Sequence, residues 1–330
     1  MNGKKLINRY IQSKSTIMVF VILLVFSSIV FADKNFFSIL SLQNLVKKGA
    51  SEGGFLALGM TFVILLGQID LSVGSVLALS GVVMAMFGNE NPLLGILLGL
   101  AVGLACGFVN GLMVAKMKIS SWVATLAMML GIRGVVLLIT SQKAVSLTNS
   151  TLVYFSGGKV LGISSIIWLL LILTLICMYI SRNTRLGMGL YAVGGNEEAA
   201  RMMGLKVDAI KIAAYTFCGL FAAIAGMVLA SKLYTAQPTA GDSWETTAIA
   251  MCALGSVKLS GGEGRFSGTF FGILIIAVIN TIFNYAGSLN SWWQNIIMGV
   301  LILISIGLQS QVIHLPSGSK NRMEQGGSTI

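Results

Sequence analysis

Few side chains in this sequence could carry out catalysis or hold a metal. The single histidine, His314, lies in a polar tail, and four cysteines lie in apolar runs without CxxC spacing: Cys106, Cys177, Cys218 and Cys252. Catalytic and metal sites need several such groups at defined spacings, and neither a GxSxG nor an HExxH sequence occurs. We therefore expect no catalytic residue, no metal ligand and no cofactor.

One short sequence nearly matches a nucleotide-contacting motif. Residues 259–263 read LSGGE, which differs by one residue from the LSGGQ signature of ABC ATPases. That signature works only in a soluble domain that also carries a GxxxxGK[ST] phosphate loop, and no such loop occurs here. We therefore expect any ATP-driven work to be done by a partner.

Two charged residues lie in or beside apolar runs. A carboxylate at mid-membrane costs about 2.5 to 3.5 kcal/mol, so Asp70 should line a water-filled cavity, pair with a cation, or cap a helix. We favour a cap on a helix that starts at Leu71, with Ser72 nearby. Arg133 lies inside its run and should face the bundle interior, with Asp70 or a ring of carbonyls as its partner.

Amides and small residues recur in the apolar runs. Glycines at four-residue spacing between Gly99 and Gly111 predict close helix packing. The amides either form hydrogen bonds between helices or line a path for a hydroxyl-rich solute; they are Asn110, Asn280, Asn284 and Gln294.

The amino-acid composition indicates what kind of secondary structure positions these groups. Hydrophobic residues make up 55% of the 330 residues, and the mean hydropathy is +0.88. Charged residues make up 10%, against about 25% in a soluble domain. The net charge of +11 is spread over short loops, so nucleic acid is not the expected partner. We expect an all-α polytopic protein in a lipid bilayer.

Ten apolar runs are candidates to cross a bilayer core of about 30 Å. They are residues 16–32, 53–66, 73–87, 93–115, 122–140, 163–180, 212–230, 246–257, 268–285 and 292–307. With both termini in the cytoplasm, fifteen lysines and arginines fall inside and six outside, as expected for an inner-membrane protein. Residues 1–15 are then a cytoplasmic N-terminus, 16–309 the membrane domain and 310–330 a cytoplasmic tail that we expect to be disordered. A count of eight spans remains an alternative.

Two polar interruptions bounded by glycines have the same spacing. Residues 67–74 read GQIDLSVG and residues 261–268 read GGEGRFSG, each just before an apolar run. Such paired interruptions indicate two repeated halves with broken helices near a translocation path. The alternative is that both are ordinary tight turns. The residues assigned to the breaks are Gly67, Asp70, Ser72, Gly74, Gly261, Gly262 and Gly268.

The longest polar stretch is residues 182–211. Asn196 is a good N-cap, and Arg201 lies one turn after Glu197, with Gly204 as a C-terminal stop. This predicts a helix of about seven residues, which is marginal alone and needs a surface on which to dock. A simple connecting loop is the alternative.

Three motifs together resemble one known family. They are LGMTFVILLGQIDLSVGSVLALSG at 58–81, YAVGGNEEAARMMGLKV at 191–207 and SGGEGRFSGTFFG at 260–272. They resemble the ribose-type permeases of bacterial ABC sugar importers, which belong to the branched-chain amino acid/ribose permease superfamily, and the resemblance covers about residues 39–307. One departure is Ser120-Ser121, where many members have consecutive prolines.

The resemblance implies partners and residue roles. Members pair as homo- or heterodimers, bind a cytosolic ATPase and receive solute from a periplasmic or lipid-anchored binding protein. Arg133 resembles the arginine of an Arg-Gly pair of the family. Asn284 and Gln294 match the asparagine and glutamine positions near the C-terminus of the family. Docking on the ATPase is implied for a coupling segment that contains Gly194, Gly195, Asn196, Glu197, Glu198, Ala199, Ala200, Arg201 and Gly204.

Taken together, these features predict a permease subunit that lets a small sugar or related polyol cross inward while a partner hydrolyses ATP. A self-sufficient secondary transporter or facilitator is the alternative, and it requires coupling carboxylates or histidines, for which Asp70 is the one candidate. The sequence distinguishes neither the sugar nor a homodimer from a heterodimer.

Overall fold

A computed structural model of the chain describes residues 3–286 and, beyond them, residues 293, 296–297, 299–301, 303 and 307. The described part is mostly helical. Its helices are α1 (Gly3–Val30), α2 (Ile39–Gly49), α3 (Phe55–Ile64), α4 (Val73–Gly88), α5 (Pro92–Ala115), α6 (Ser121–Thr140), α7 (Ser150–Gly157), α8 (Ser165–Asn183), α9 (Arg185–Gly195), α10 (Glu197–Met202), α11 (Val207–Leu233), α12 (Trp244–Leu254) and α13 (Phe266–Ala286).

Four two-residue strands lie in the connections. Strand β1 (Val145–Ser146) pairs antiparallel with β4 (Thr235–Ala236), so the segment after α6 is joined to the segment after α11. Strands β2 (Lys159–Val160) and β3 (Ile163–Ser164) form a small hairpin before α8. A 3-10 turn, Ala32–Lys34, follows α1.

The helices confirm a polytopic membrane protein. Within the described residues, five helices are long and apolar enough to cross a membrane: α5, α6, α8, α11 and α13. The apolar part of α1, Thr16–Val30, and α4 are shorter apolar helices. The predicted run 292–307 falls largely outside the described residues, as do Gln294, His314 and the tail.

Helix α11 is the centre of the bundle and packs against α3, α4 and α5. The predicted glycine stripe of α5 faces it: a Cβ on Gly103 would overlap the carbonyl oxygen of Gly219, and a Cβ on Gly107 that of Tyr215. Lipid tails are as apolar as leucine, so close backbone contact and van der Waals packing hold such helices together. The prediction of close packing is confirmed, with α11 as the partner.

The second predicted run is shorter than expected because the chain kinks ahead of it. Between α2 and α3, Glu52 leaves helical geometry (φ −109°, ψ 51°) and Gly53 adopts φ 113°, a conformation that only glycine adopts readily. Helix α3 therefore has 10 residues, about 15 Å, and cannot cross the bilayer core by itself. Lys48 and Lys232 flank Glu52 at 3.8 and 3.6 Å. The apolar pattern of the sequence did not predict this kink.

Candidate functional site

The polar stretch 182–211 contains the predicted short helix. Helix α10 has six residues, and the side-chain oxygen of Asn196 accepts a hydrogen bond from the backbone N–H of Ala199 at 2.9 Å. Gly204 adopts φ 80° just after the helix, and its N–H donates to the carbonyl of Arg201. The predicted cap and stop are both confirmed.

Ion pairs hold α10 on α11, and a further pair joins α11 to the end of α5. Arg201 contacts Glu197 at 3.4 Å and Asp208, at the start of α11, at 3.2 Å. Lys211 of α11 reaches Glu197 at 2.7 Å, and Lys116, just after α5, reaches Asp208 at 3.0 Å. A single surface ion pair contributes about 0 to 1 kcal/mol, but four that share partners hold one geometry. Helix α10 is therefore a fixed projection of the bundle.

The opposite side of α10 is open. Ala200 is buried against the bundle, whereas Gly195, Asn196, Glu198 and Arg201 are exposed. Two methionines after the first turn are exposed as well, Met202 by 84% and Met203 by 70%. Exposed methionines beside charges are adaptable contact residues. Sequence reasoning missed them, because in an apolar chain a methionine pair attracts no notice.

The two predicted interruptions meet in space. The first break, residues 65–72, separates α3 from α4, and the second break, residues 255–265, separates α12 from α13. The N–H of Gly262 donates to the carbonyl of Leu65 at 2.9 Å. A Cβ on Gly67 would lie 2.9 Å from the carbonyl oxygen of Ser260, and a Cβ on Gly261 would lie 2.6 Å from the nitrogen of Gly67.

The far ends of the two predicted interruptions pack elsewhere. A Cβ on Gly74 would overlap the carbonyl oxygen of Gly241, and a Cβ on Gly268 would overlap that of Gly255. Gly241 belongs to the non-helical connection between β4 and α12. Because Gly74 lies in the first turn of α4, this connection extends along α4 as far as the start of that helix.

Asp70 is buried within the first break. One of its carboxylate oxygens accepts hydrogen bonds from the N–H and the hydroxyl of Ser72, at 2.9 and 2.7 Å. The amide of Asn110 in α5 donates to the Ser72 hydroxyl at 2.8 Å and lies 3.4 Å from the other carboxylate oxygen. Asp70 thus caps the turn that leads into α4, which begins at Val73 and not at Leu71.

Arg133 does not pair with Asp70, so that expectation was wrong. Its guanidinium contacts Asp242 at 2.7 Å and donates to the carbonyls of Pro238 at 2.7 Å and Ala240 at 3.0 Å. The expectation of carbonyl partners was right. Irregular backbone at membrane depth needs donors from neighbouring groups, and Arg133 supplies them to the connection before α12. Sequence reasoning missed Asp242, which lies in a loop more than a hundred residues further along the chain.

The remaining amides differ in environment. Asn280 is buried in α13, whereas Asn284 is exposed one turn later. Among the amides that lie in the described residues, Asn110 is the one that contacts Asp70.

These features define a class of protein. Membrane-length helices enclose two helix breaks that touch one another, and a short capped helix projects from polar sequence at the same end of the bundle, an arrangement suited to moving a solute across a membrane. The family model described as branched-chain amino acid transport system / permease component matches residues 50–306, and the chain belongs to that family.

Curated relatives cover most of the chain. It is 41% identical over 301 residues to the ribose import permease protein RbsC of Escherichia coli (strain K12), which is 89% of this chain and 92% of that protein. It is 42% identical over 278 residues to RbsC of Bacillus subtilis (strain 168), covering 83% and 86%. The L-arabinose transport system permease protein AraH of Escherichia coli (strain K12) is 37% identical over 258 residues, covering 78% of each chain. No solved structure gives a significant match.

Proposed function

We propose that this chain is the membrane-spanning permease subunit of an ATP-driven importer that carries a ribose-like monosaccharide or related polyol into the cytoplasm. The relatives named for ribose import and for L-arabinose transport support the substrate class. The chain is the permease and not the ATPase, so a partner subunit hydrolyses the ATP. The observation that carries the proposal is α10, a helix too short to be stable alone that is nevertheless capped, pinned and open on one side.

The ATPase docks on the open side of α10. Glu198, Met202 and Met203 offer a carboxylate and two adaptable apolar side chains next to one another. The coupling segment around them comprises Gly194, Gly195, Asn196, Glu197, Glu198, Ala199, Ala200, Arg201 and Gly204. A cysteine placed at Met202 is expected to cross-link to the ATPase, whereas one placed at exposed Leu161 in the β2–β3 hairpin is not. Equal cross-linking from both positions would contradict this docking site.

Ten spans with both termini in the cytoplasm fit the distribution of lysines and arginines. On this topology α10, both breaks and the start of α11 face the cytoplasm of a bacterial inner-membrane protein, and the regions are those given above: 1–15, 16–309 and 310–330. The two breaks belong to two repeated halves. A phosphatase reporter fused after residue 200 should be inactive, and an active fusion would contradict this orientation.

The translocation path runs along the surface that Arg133 and Asp242 share. The Asp242 side chain is 64% exposed beside an arginine that lies twelve residues, about 18 Å, along α6. A carboxylate at that depth is costly against lipid, so it faces water or a second permease subunit. The residues we assign to the path and its breaks are Gly67, Asp70, Ser72, Gly74, Asn110, Arg133, Gly261, Gly262, Gly268, Asn280, Asn284 and Gln294.

Three protein partners follow from this function. They are a cytosolic ATPase, a second permease subunit, and a periplasmic or lipid-anchored sugar-binding protein. Binding assays between detergent-solubilised permease and candidate binding proteins loaded with labelled sugars would identify the solute. Binding proteins for ribose-like sugars should associate, and association only with amino-acid-binding proteins would overturn the substrate class.

A further inference from the structure

The end of α9, just before the short helix, contacts both helix breaks through backbone atoms. A Cβ on Gly194 would overlap the carbonyl oxygen of Leu65 in the first break and lie 2.7 Å from the nitrogen of Gly262 in the second. Those two atoms are themselves joined by the 2.9 Å hydrogen bond from Gly262 to Leu65. We call this meeting of Leu65, Gly194 and Gly262 the backbone joint.

Neighbouring contacts strengthen the joint on the side of the second break. A Cβ on Gly261 would lie 2.9 Å from the carbonyl oxygen of Gly194, and one on Gly262 would lie 2.8 Å from the Cα of Gly195. The hydroxyl of Tyr191, one turn earlier in α9, donates to the carbonyl of Gly264 at 3.1 Å. The end of α9 is therefore seated on the second break along several residues.

The two glycines at the end of α9 differ. A Cβ on Gly195 would have no neighbour within 4 Å, whereas one on Gly194 has no space. Gly195 thus faces outward with α10, and Gly194 faces inward to the breaks. Because α10 follows Gly195 after Asn196 alone, any displacement of α10 acts on Gly194.

We propose that Gly194 is a positioning residue that transmits the displacement of α10 to both helix breaks at once. The proposal rests on the proposed function, in which the ATPase moves α10. Packed backbone contacts are nearly incompressible, so they transmit displacement instead of absorbing it. The break segments lack a continuous helical hydrogen-bond ladder and are the elements able to change φ and ψ, as hinges do. Within the coupling segment, Gly194 therefore contacts the permease interior, whereas the residues of α10 that follow it contact the ATPase.

The test compares Gly194→Ala with a matched control in the complete complex of permease, ATPase and binding protein in proteoliposomes. For Gly194→Ala we expect the ATPase to co-purify normally and to hydrolyse ATP, while solute uptake per ATP falls about tenfold because the added methyl group displaces the joint. Gly157→Ala is the control, since Gly157 ends α7 and an added Cβ there meets nothing within 4 Å. It should leave uptake per ATP unchanged.

Two results would overturn the inference. If Gly194→Ala transports as the unchanged protein does, the joint carries no displacement. If it loses uptake because the ATPase no longer co-purifies, Gly194 serves docking and not transmission. Failure of the unchanged complex to transport with ATP would instead overturn the proposed function, and the inference with it.

A milder variant decides the matter if Gly194→Ala fails to insert. Tyr191→Phe adds no volume and removes only the hydroxyl that donates to Gly264. A fall in uptake per ATP, with the ATPase still bound, would support transmission through the joint. Unchanged coupling in Tyr191→Phe would contradict it.

Discussion

At the scale of one residue, substitutions of Asp70 distinguish an ATP-driven importer from a secondary transporter. Its carboxylate accepts two hydrogen bonds from Ser72, and the carbonyl oxygen of an asparagine can accept the same bonds. We therefore expect Asp70→Asn to keep most of the sugar uptake and Asp70→Ala to lose much of it, because alanine leaves the Ser72 N–H without its acceptor. Uptake by the two variants in whole cells is the measurement.

A coupling carboxylate would behave differently. If Asp70→Asn abolished uptake as completely as Asp70→Ala, ionisation of Asp70 would be required, and the secondary transporter would become the better account. Membrane insertion of both variants is the control.

Arg133 should matter to stability more than its ionic partner does. Arg133→Met leaves the partly buried carbonyls of Pro238 and Ala240 without these donors, at up to about 1 to 3 kcal/mol for each carbonyl. Asp242→Asn removes only the charge of a largely exposed side chain, for which about 1 kcal/mol or less is expected. Thermal unfolding in detergent should therefore show the larger loss for Arg133→Met. The reverse order would show that the ion pair outweighs the carbonyl contacts.

At this scale, local chemistry was predictable and distant partners were not. The cap by Asn196 was predicted because an N-cap acts within three residues. For Arg133, the expectation of carbonyl partners was right and that of Asp70 was wrong. Neither Asp242 nor the particular carbonyls could be named, since they come from a connection whose position depends on the whole bundle.

At the scale of an element, the prediction concerns docking of the ATPase on the short helix α10. Glu198→Arg reverses an exposed charge in its first turn, and Gly195→Pro alters the end of α9 just before it. We expect both variants to remain folded in the membrane and to lose uptake and co-purification of the ATPase.

The control is Glu90→Arg, the same charge reversal at an exposed residue between α4 and α5. It should leave ATPase binding unchanged. Normal transport in both docking variants, with the ATPase still bound, would show that the contact lies elsewhere.

The close contact between α5 and α11 should depend on the glycines of α5, which carry no side chain. Gly107→Ala places a methyl group against the backbone of Tyr215 and Thr216, and overpacking of this kind costs about 1 to 3 kcal/mol. We expect a lower unfolding temperature in detergent, whereas Gly131→Ala in α6, where an added Cβ has no neighbour within 4 Å, should cause no loss. Equal stability of the two variants would mean that the helices separate readily.

At the scale of elements, helices were predictable from the sequence where the apolar run was long. The runs at α5, α6, α8 and α11 were found within a few residues, because each is a continuous apolar segment. The kink at Gly53 was missed because one glycine among the 39 in the chain carries no distinct signal. The equal spacing of the two interruptions indicated that they are similar. It could not predict that the two breaks contact each other.

At the scale of the whole molecule, the membrane bundle carries a short projecting helix, and the sequence contains no motif for nucleotide hydrolysis. The family match and the relatives establish a permease component. The structure adds that the end of α9, which leads into α10, is in direct contact with both helix breaks at one end of the bundle. A displacement of α10 by a partner therefore has a short route to the segments that we place along the solute path.

Uptake of labelled ribose into proteoliposomes tests this account most directly. Permease, ATPase and binding protein are reconstituted together, and each is omitted in turn, with ATP or a non-hydrolysable analogue supplied on the side of the ATPase. We predict uptake only when all three proteins and hydrolysable ATP are present. Uptake by the permease alone, without the ATPase, would contradict the account and identify a self-sufficient transporter.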